Sequence, residues 1–145
     1  MSSALFRKIT IGSSVIGLLD SIYLSWIKIT NQEALCAGIG NCDVVNTSEY
    51  SEIVGIPIAI LGAGFYLIIL ILVLVENGTL FWKENSPLFV FGLSFGGMIY
   101  SGYLTYIELV VINAICPYCV LSALAIIVIF ILSIFRLKQK LGELE

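Results

Sequence analysis

Four stretches of this chain are each long and apolar enough to cross a lipid bilayer, and they leave little sequence for anything else. A bilayer core takes about 20 mostly apolar residues as helix. The stretches run over about residues 9–29, 55–75, 87–107 and 117–135. The first carries Asp20 and Lys28; the other three carry no charged side chain. With no water to satisfy a backbone in lipid, each stretch must pair its own N–H and C=O groups, so each is a helix rather than an open strand. The expected fold is an all-α membrane protein, a four-transmembrane-helix bundle forming one domain over residues 1–145. Composition agrees: 59% of residues are hydrophobic and 12% charged, against about 45–50% and about 25% in globular proteins.

Arg7 and Lys8 resemble the start of a secretory signal, but the apolar run behind them is too long for a cleaved one. Nor does Cys36 read as a lipid-anchored cysteine, since bulky Leu35 precedes it. Basic residues orient the bundle. Arg7, Lys8, Lys83, Arg136, Lys138 and Lys140 all fall on one side of a four-span chain, the expected cytoplasmic side, with both termini. Only Lys28 lies near the other face. That face receives the loop around 31–54 and a short turn near 108–116, and these, with the mouth of span four, hold all four cysteines. An extracytoplasmic compartment permits disulfides. A net charge of −3 without a basic stripe excludes a nucleic-acid binder. The absence of histidine removes the commonest general base and zinc ligand.

The cysteines form two pairs, Cys36/Cys42 and Cys116/Cys119. The second has the C-x-x-C spacing of dithiol redox sites. Pro117 suits the first position of a helix, which puts Cys116 near the N-cap and Cys119 in the first turn. Unpaired N–H groups and the helix dipole favour a thiolate there, and the thiolate is the species that exchanges with disulfides. The first pair sits in a glycine-containing loop long enough to move between a soluble partner and the membrane surface. One mobile dithiol and one at a helix mouth suggest an electron relay. The alternatives are a membrane structural or assembly protein with structural disulfides, and a zinc site made of all four cysteines. A C-x-x-C disulfide closes too short a loop to stabilise much, and the five-residue gap of the first pair exceeds usual zinc-ligand spacing. A small transporter would show internal repeats or broken helices, and neither is visible. Asp20, near the middle of span one, is either a proton-handling group or a neutral or paired aspartate joining helices through Ser or Tyr neighbours. Gly92/Gly96 and Ser13/Gly17 are small-residue pairs that let membrane helices approach.

Taken together, Asn41-Cys42-Asp43-Val44-Val45-Asn46-Thr47-Ser48 after Cys36, Gly55-Ile56-Pro57 at span two, Cys116-Pro117-Tyr118-Cys119 at span four and Asp20-Ser21-Ile22-Tyr23-Leu24 in span one resemble the prokaryotic branch of the vitamin K epoxide reductase family. The resemblance covers nearly the whole chain in order. It implies a bundle around a quinone (ubiquinone or menaquinone), capped by the external cysteine loop and a short, partly buried interfacial helix over 44–53. It implies that Cys36 exchanges with a thioredoxin-like, DsbA-like extracytoplasmic protein, that Cys42 passes electrons to Cys116, that Cys119 reduces the quinone, and that Ser48 lies by the active site. Ser51 and Ala123 replace the asparagine and tyrosine of animal vitamin K enzymes, so plain quinone reduction is expected rather than epoxide reduction. Some relatives carry a fused thioredoxin domain; none is expected here, which makes the partner a separate protein. A partner of the DsbA kind sits near about −120 mV, so the acceptor must be more positive, as a membrane quinone is. Phe65 and Tyr66 in span two and Phe91, Phe95 and Met98 on one face of span three are the candidate quinone wall, although aromatics at helical spacing also serve as core.

Overall fold

The computed structural model describes residues 2–36 and 38–145; Met1 and Ala37, the latter between the first two cysteines, lie outside them. In chain order the helices are α1 (Ser3–Thr30), the short α2 (Cys42–Thr47), α3 (Ile58–Val75), α4 (Leu80–Tyr106) and α5 (Pro117–Leu144). The four long ones are each apolar enough to cross a membrane. α1 packs on α3 and α5, and α4 packs on α5 and α3, which closes a ring. The chain is an all-α, multi-pass membrane bundle. Its apolar surface faces outward as well as inward: Trp26, Ile68 and Leu124 are more than half exposed, which is tolerable only where the surrounding solvent is lipid.

The interior is a slab of Tyr66, Ile69, Val73, Val90, Ala125, Ile126 and Ile129, joined by hydroxyl groups. Ser86 donates to Leu72 O (2.9 Å), Ser94 and Ser133 pair at 3.3 Å, and Tyr66 Oη donates to Ser122 O at 2.7 Å. Such bonds link helices where burial of apolar surface cannot. Of the glycines expected to mediate packing, Gly17 does so: a Cβ there would overlap the Tyr66 ring. Gly92 and Gly96 do not, having nothing within contact of such an atom; Gly97, against Phe65, takes that role.

The helices outrun the expected spans. α1 begins at Ser3, so Arg7 and Lys8 are helical. α4 begins seven residues before Pro87 and runs through it. Proline has no N–H for the carbonyl four residues back; that carbonyl, Lys83 O, instead accepts from Lys140 Nζ at 2.7 Å. α5 continues past Phe135, and the buried Arg136 pairs with Glu76 at the end of α3. The second span starts later than 55. Glu52–Ile53 and Ile56–Pro57 pair as a tiny antiparallel ribbon, turned by Val54 and Gly55 at positive φ, and α3 follows at Ile58. Pro57 disfavours helix at the residue before it. The short helix expected over 44–53 is Cys42–Thr47, followed by a single 3-10 turn at Glu49–Ser51. α4 runs on as a π turn, Ile107–Ile112, ended by Asn113 in the left-handed region. The expected turn over 108–116 is therefore only the stretch after Ile112.

Candidate functional site

The loop after α1 is bound to the bundle end at several points. Lys28, in the last turn of α1, donates to Asn46 O (2.6 Å) and to Ser51 Oγ and pairs with Glu52 (3.1 Å). Tyr23 Oη accepts from Leu35 N, Tyr118 Oη donates to Leu35 O (2.7 Å), and Asp43 accepts from Ala34 N (2.8 Å). Asn41 N donates to Ile115 O (2.9 Å), and Gly40, at φ 81°, lies so close to that carbonyl that a Cβ would collide with it. The loop expected to be mobile is docked on α1 and α5.

Docking brings the four sulfurs together. Cys42 and Cys116 are buried with Val45 and Ala114, and Cys36 and Cys119 pack against them, half-buried. Cys36 and Cys42 form a disulfide with a Cα–Cα distance of 6.3 Å; Cys116 and Cys119 are free thiols. The two pairs thus differ in this structure, the outer one joined and the inner one not. Among the described residues no group of three or more His, Cys, Asp or Glu side chains is arranged to hold a metal ion.

Cys116 is the N-cap of α5 and Pro117 its first residue. Its thiol is held below the ordinary thiol range, chiefly by the hydrogen bond from the Cys119 thiol and then by the N–H groups of Cys119 and Tyr118; burial and the Glu108 charge oppose this. The exposed helix end favours a thiolate as expected, but a neighbouring side chain contributes more than the backbone. Glu108, unremarked in the sequence, is 6% exposed. Its Oε2 accepts from Cys116 N at 3.5 Å, and its carboxyl is within hydrogen-bonding reach of the Cys119 thiol. Glu108 lies eight positions before Cys116, and only the π turn and the left-handed Asn113 bring them together.

Beneath the cysteines is a cavity of ≈ 360 Å³, bordered by Cys116, Cys119, Glu108, Ser48, Asp20, Phe65 and Tyr66 among others. Of the expected quinone wall, Phe65 and Tyr66 line it. Phe91 and Phe95 stack on each other and against Phe130, and neither they nor Met98 border the cavity. Ser48 borders it while its hydroxyl donates to Val45 O (2.7 Å). Asp20 is not the helix-joining aspartate that a polar pair would make: both carboxyl oxygens are buried without a partner among the described residues. Mainly apolar walls (Leu24, Leu61, Leu104 and Ile126 among them) and a few oxygen-bearing groups, one unpartnered, suit a flat apolar ring with polar atoms at its edge. A quinone head has that chemistry, and Phe65, Tyr66, Cys119 and Asp20 are the residues that would hold it.

Comparison with known proteins agrees. A family model described as "Vitamin K epoxide reductase family" matches residues 8–134. The chain is 32% identical over 127 residues to "Thiol-disulfide oxidoreductase LTO1" of Arabidopsis thaliana, an alignment covering 83% of this chain and 34% of that protein. The chain therefore spans about a third of the length of that relative.

Proposed function

The chain belongs to the vitamin K epoxide reductase family, and from that premise we propose that it is a membrane thiol–disulfide oxidoreductase that oxidises a separate thioredoxin-like protein outside the cytoplasm and delivers the electrons to a membrane quinone. The observation that carries this reading is the single sulfur cluster, oxidised at its outer pair and reduced at its inner pair, directly above the cavity. Half-buried Cys36 is the sulfur a partner's thiolate attacks, releasing Cys42; the partner's second thiolate then attacks its own sulfur in the mixed disulfide, so that the partner leaves oxidised and Cys36 is freed as a thiolate. The Cys42 thiolate attacks Cys116 of an inner disulfide and frees Cys119; Cys36 then attacks Cys42, restoring the outer disulfide and freeing Cys116. The arrangement with outer disulfide and inner dithiol is the state after electrons have moved inward. A quinone held in the cavity would supply a two-electron, two-proton sink, and Cys119 borders that cavity. Docking of the loop keeps Cys42 against Cys116 and excludes water from the exchange. Six basic residues at the opposite end support cytoplasmic termini.

Trapping tests the relay. In membranes supplied with a reduced thioredoxin-like protein and quinone, Cys42→Ser is expected to accumulate a mixed disulfide on Cys36, and Cys36→Ser a Cys42–Cys116 bond. A partner adduct that requires Cys42 and survives loss of Cys36 reverses the assignment; wild type that reduces no quinone removes the acceptor from the reading.

A further inference from the structure

Closing the inner disulfide removes two electrons and two protons from Cys116 and Cys119. The first proton leaves Cys116 readily, because Cys119 donates a hydrogen bond to its sulfur. The second sits on Cys119, in contact with both Cys116 and the Glu108 carboxyl. Glu108 makes no ion pair among the described residues, and no lysine or arginine borders the cavity. Its burial therefore serves no salt bridge. The titratable groups that share the cavity with it are Asp20 from α1, Tyr50 from the cap, Tyr66 from α3, Tyr100 from its own helix, and Cys116 and Cys119 from α5. Of these, the two cysteines touch it. A π turn places it, and π turns recur at functional sites.

We propose that Glu108 is a catalytic residue, the proton carrier of the inner dithiol. As carboxylate it takes the proton from Cys119 Sγ: the S–H bond breaks, an O–H bond forms, and the sulfur electrons enter the new Cys116–Cys119 bond as two electrons pass to the acceptor. Glu108 passes this proton on toward the acceptor, and the proton lost by Cys116 leaves to the surroundings, so that two protons accompany the two electrons. In the inward step Glu108, reprotonated by a proton released from the partner's thiols, returns it to Cys119 Sγ as Cys42 displaces that sulfur from Cys116. The assignment rests on the reading above for the redox role of this pair and for a quinone as acceptor.

The test compares wild type, Glu108→Gln and Glu108→Asp as full chains in lipid, with the outer disulfide intact and the inner pair reduced. The first readout needs no quinone: the rate of Cys119 modification by iodoacetamide against pH, read by peptide mass. Wild type is expected to show an inflection that Glu108→Gln lacks and Glu108→Asp restores at a displaced pH. The second is quinone reduction, where Glu108→Gln should lose on the order of 10²-fold in kcat with KM changed less than about threefold. A Gln variant with the wild-type profile and kcat overturns the proposal. If that variant does not fold, the Asp variant decides: a displaced inflection supports the assignment, and an unmoved one overturns it. Wild type that keeps a Glu108-dependent profile but reduces no quinone overturns the acceptor and supports the proton carrier.

Discussion

Cys116 shows how one side chain acquires a property its residue type does not have. A free thiol titrates near about 8.5, and the downward shift here comes first from the Cys119 thiol and second from the helix N-terminus. A lowered value means more thiolate at any pH below the ordinary one. Cys116 should therefore be alkylated at half its maximal rate at a lower pH than an ordinary free thiol, and Cys119→Ala, which removes the donor, should move that midpoint upward. Alkylation followed across about pH 6–10 by mass spectrometry, on protein whose outer pair is oxidised, checks this; a midpoint that ignores Cys119 refutes the side-chain origin. The N-cap position was legible from Pro117 and the C-x-x-C spacing. Glu108 was not, since its contact with the thiols depends on how α4 ends.

At the scale of elements, the cap is held by bonds from helices that end beneath it. Tyr118, inside the redox motif, donates from α5 to Leu35 O and packs its ring at 5.0 Å on Tyr23 of α1. Tyr118→Phe deletes the hydrogen bond and keeps the ring, a loss of about 0.5–1.5 kcal/mol. Local opening of the loop should become about 2- to 12-fold more frequent, while the long helices are unaffected. Amide hydrogen exchange over 34–43 measures it, with α4 as the internal reference; equal protection in both proteins would show that the other tethers suffice. A glycine-bearing loop between two cysteines reads as mobile because its partners are distant in sequence: Tyr23, Ile115 and Tyr118. Helix ends were misplaced for a related reason. Pro87 ends a helix by local rules, yet here α4 passes through it because Lys140 of α5 meets the freed carbonyl.

For the whole molecule, the four long helices divide the chain into a sulfur-bearing end and a basic end. A membrane-impermeant thiol reagent added to intact cells after mild reduction should label Cys36 and should not reach a cysteine introduced at Lys138 until the membrane is opened. Labelling in the opposite order would invert the orientation and place the sulfurs in a reducing compartment. The number of spans, the helical class, the grouping of four cysteines at one end and the helix-mouth position of Cys116 were determined by sequence alone. Each follows from local quantities: the length of an apolar run, the demand that backbone groups in lipid pair within their segment, and the identity of adjacent residues. Only the tertiary structure decided which aromatics border the cavity, since helical periodicity gives a face without its neighbour, and Phe91 and Phe95 meet Phe130 while Phe65 and Tyr66 meet the cavity. It likewise brought Asp20 to the same cavity as the thiols and Glu108 onto Cys119. Those contacts join residues on different helices, and their formation depends on how the ring of helices closes and how the chain reverses at Asn113, which no short stretch of sequence encodes.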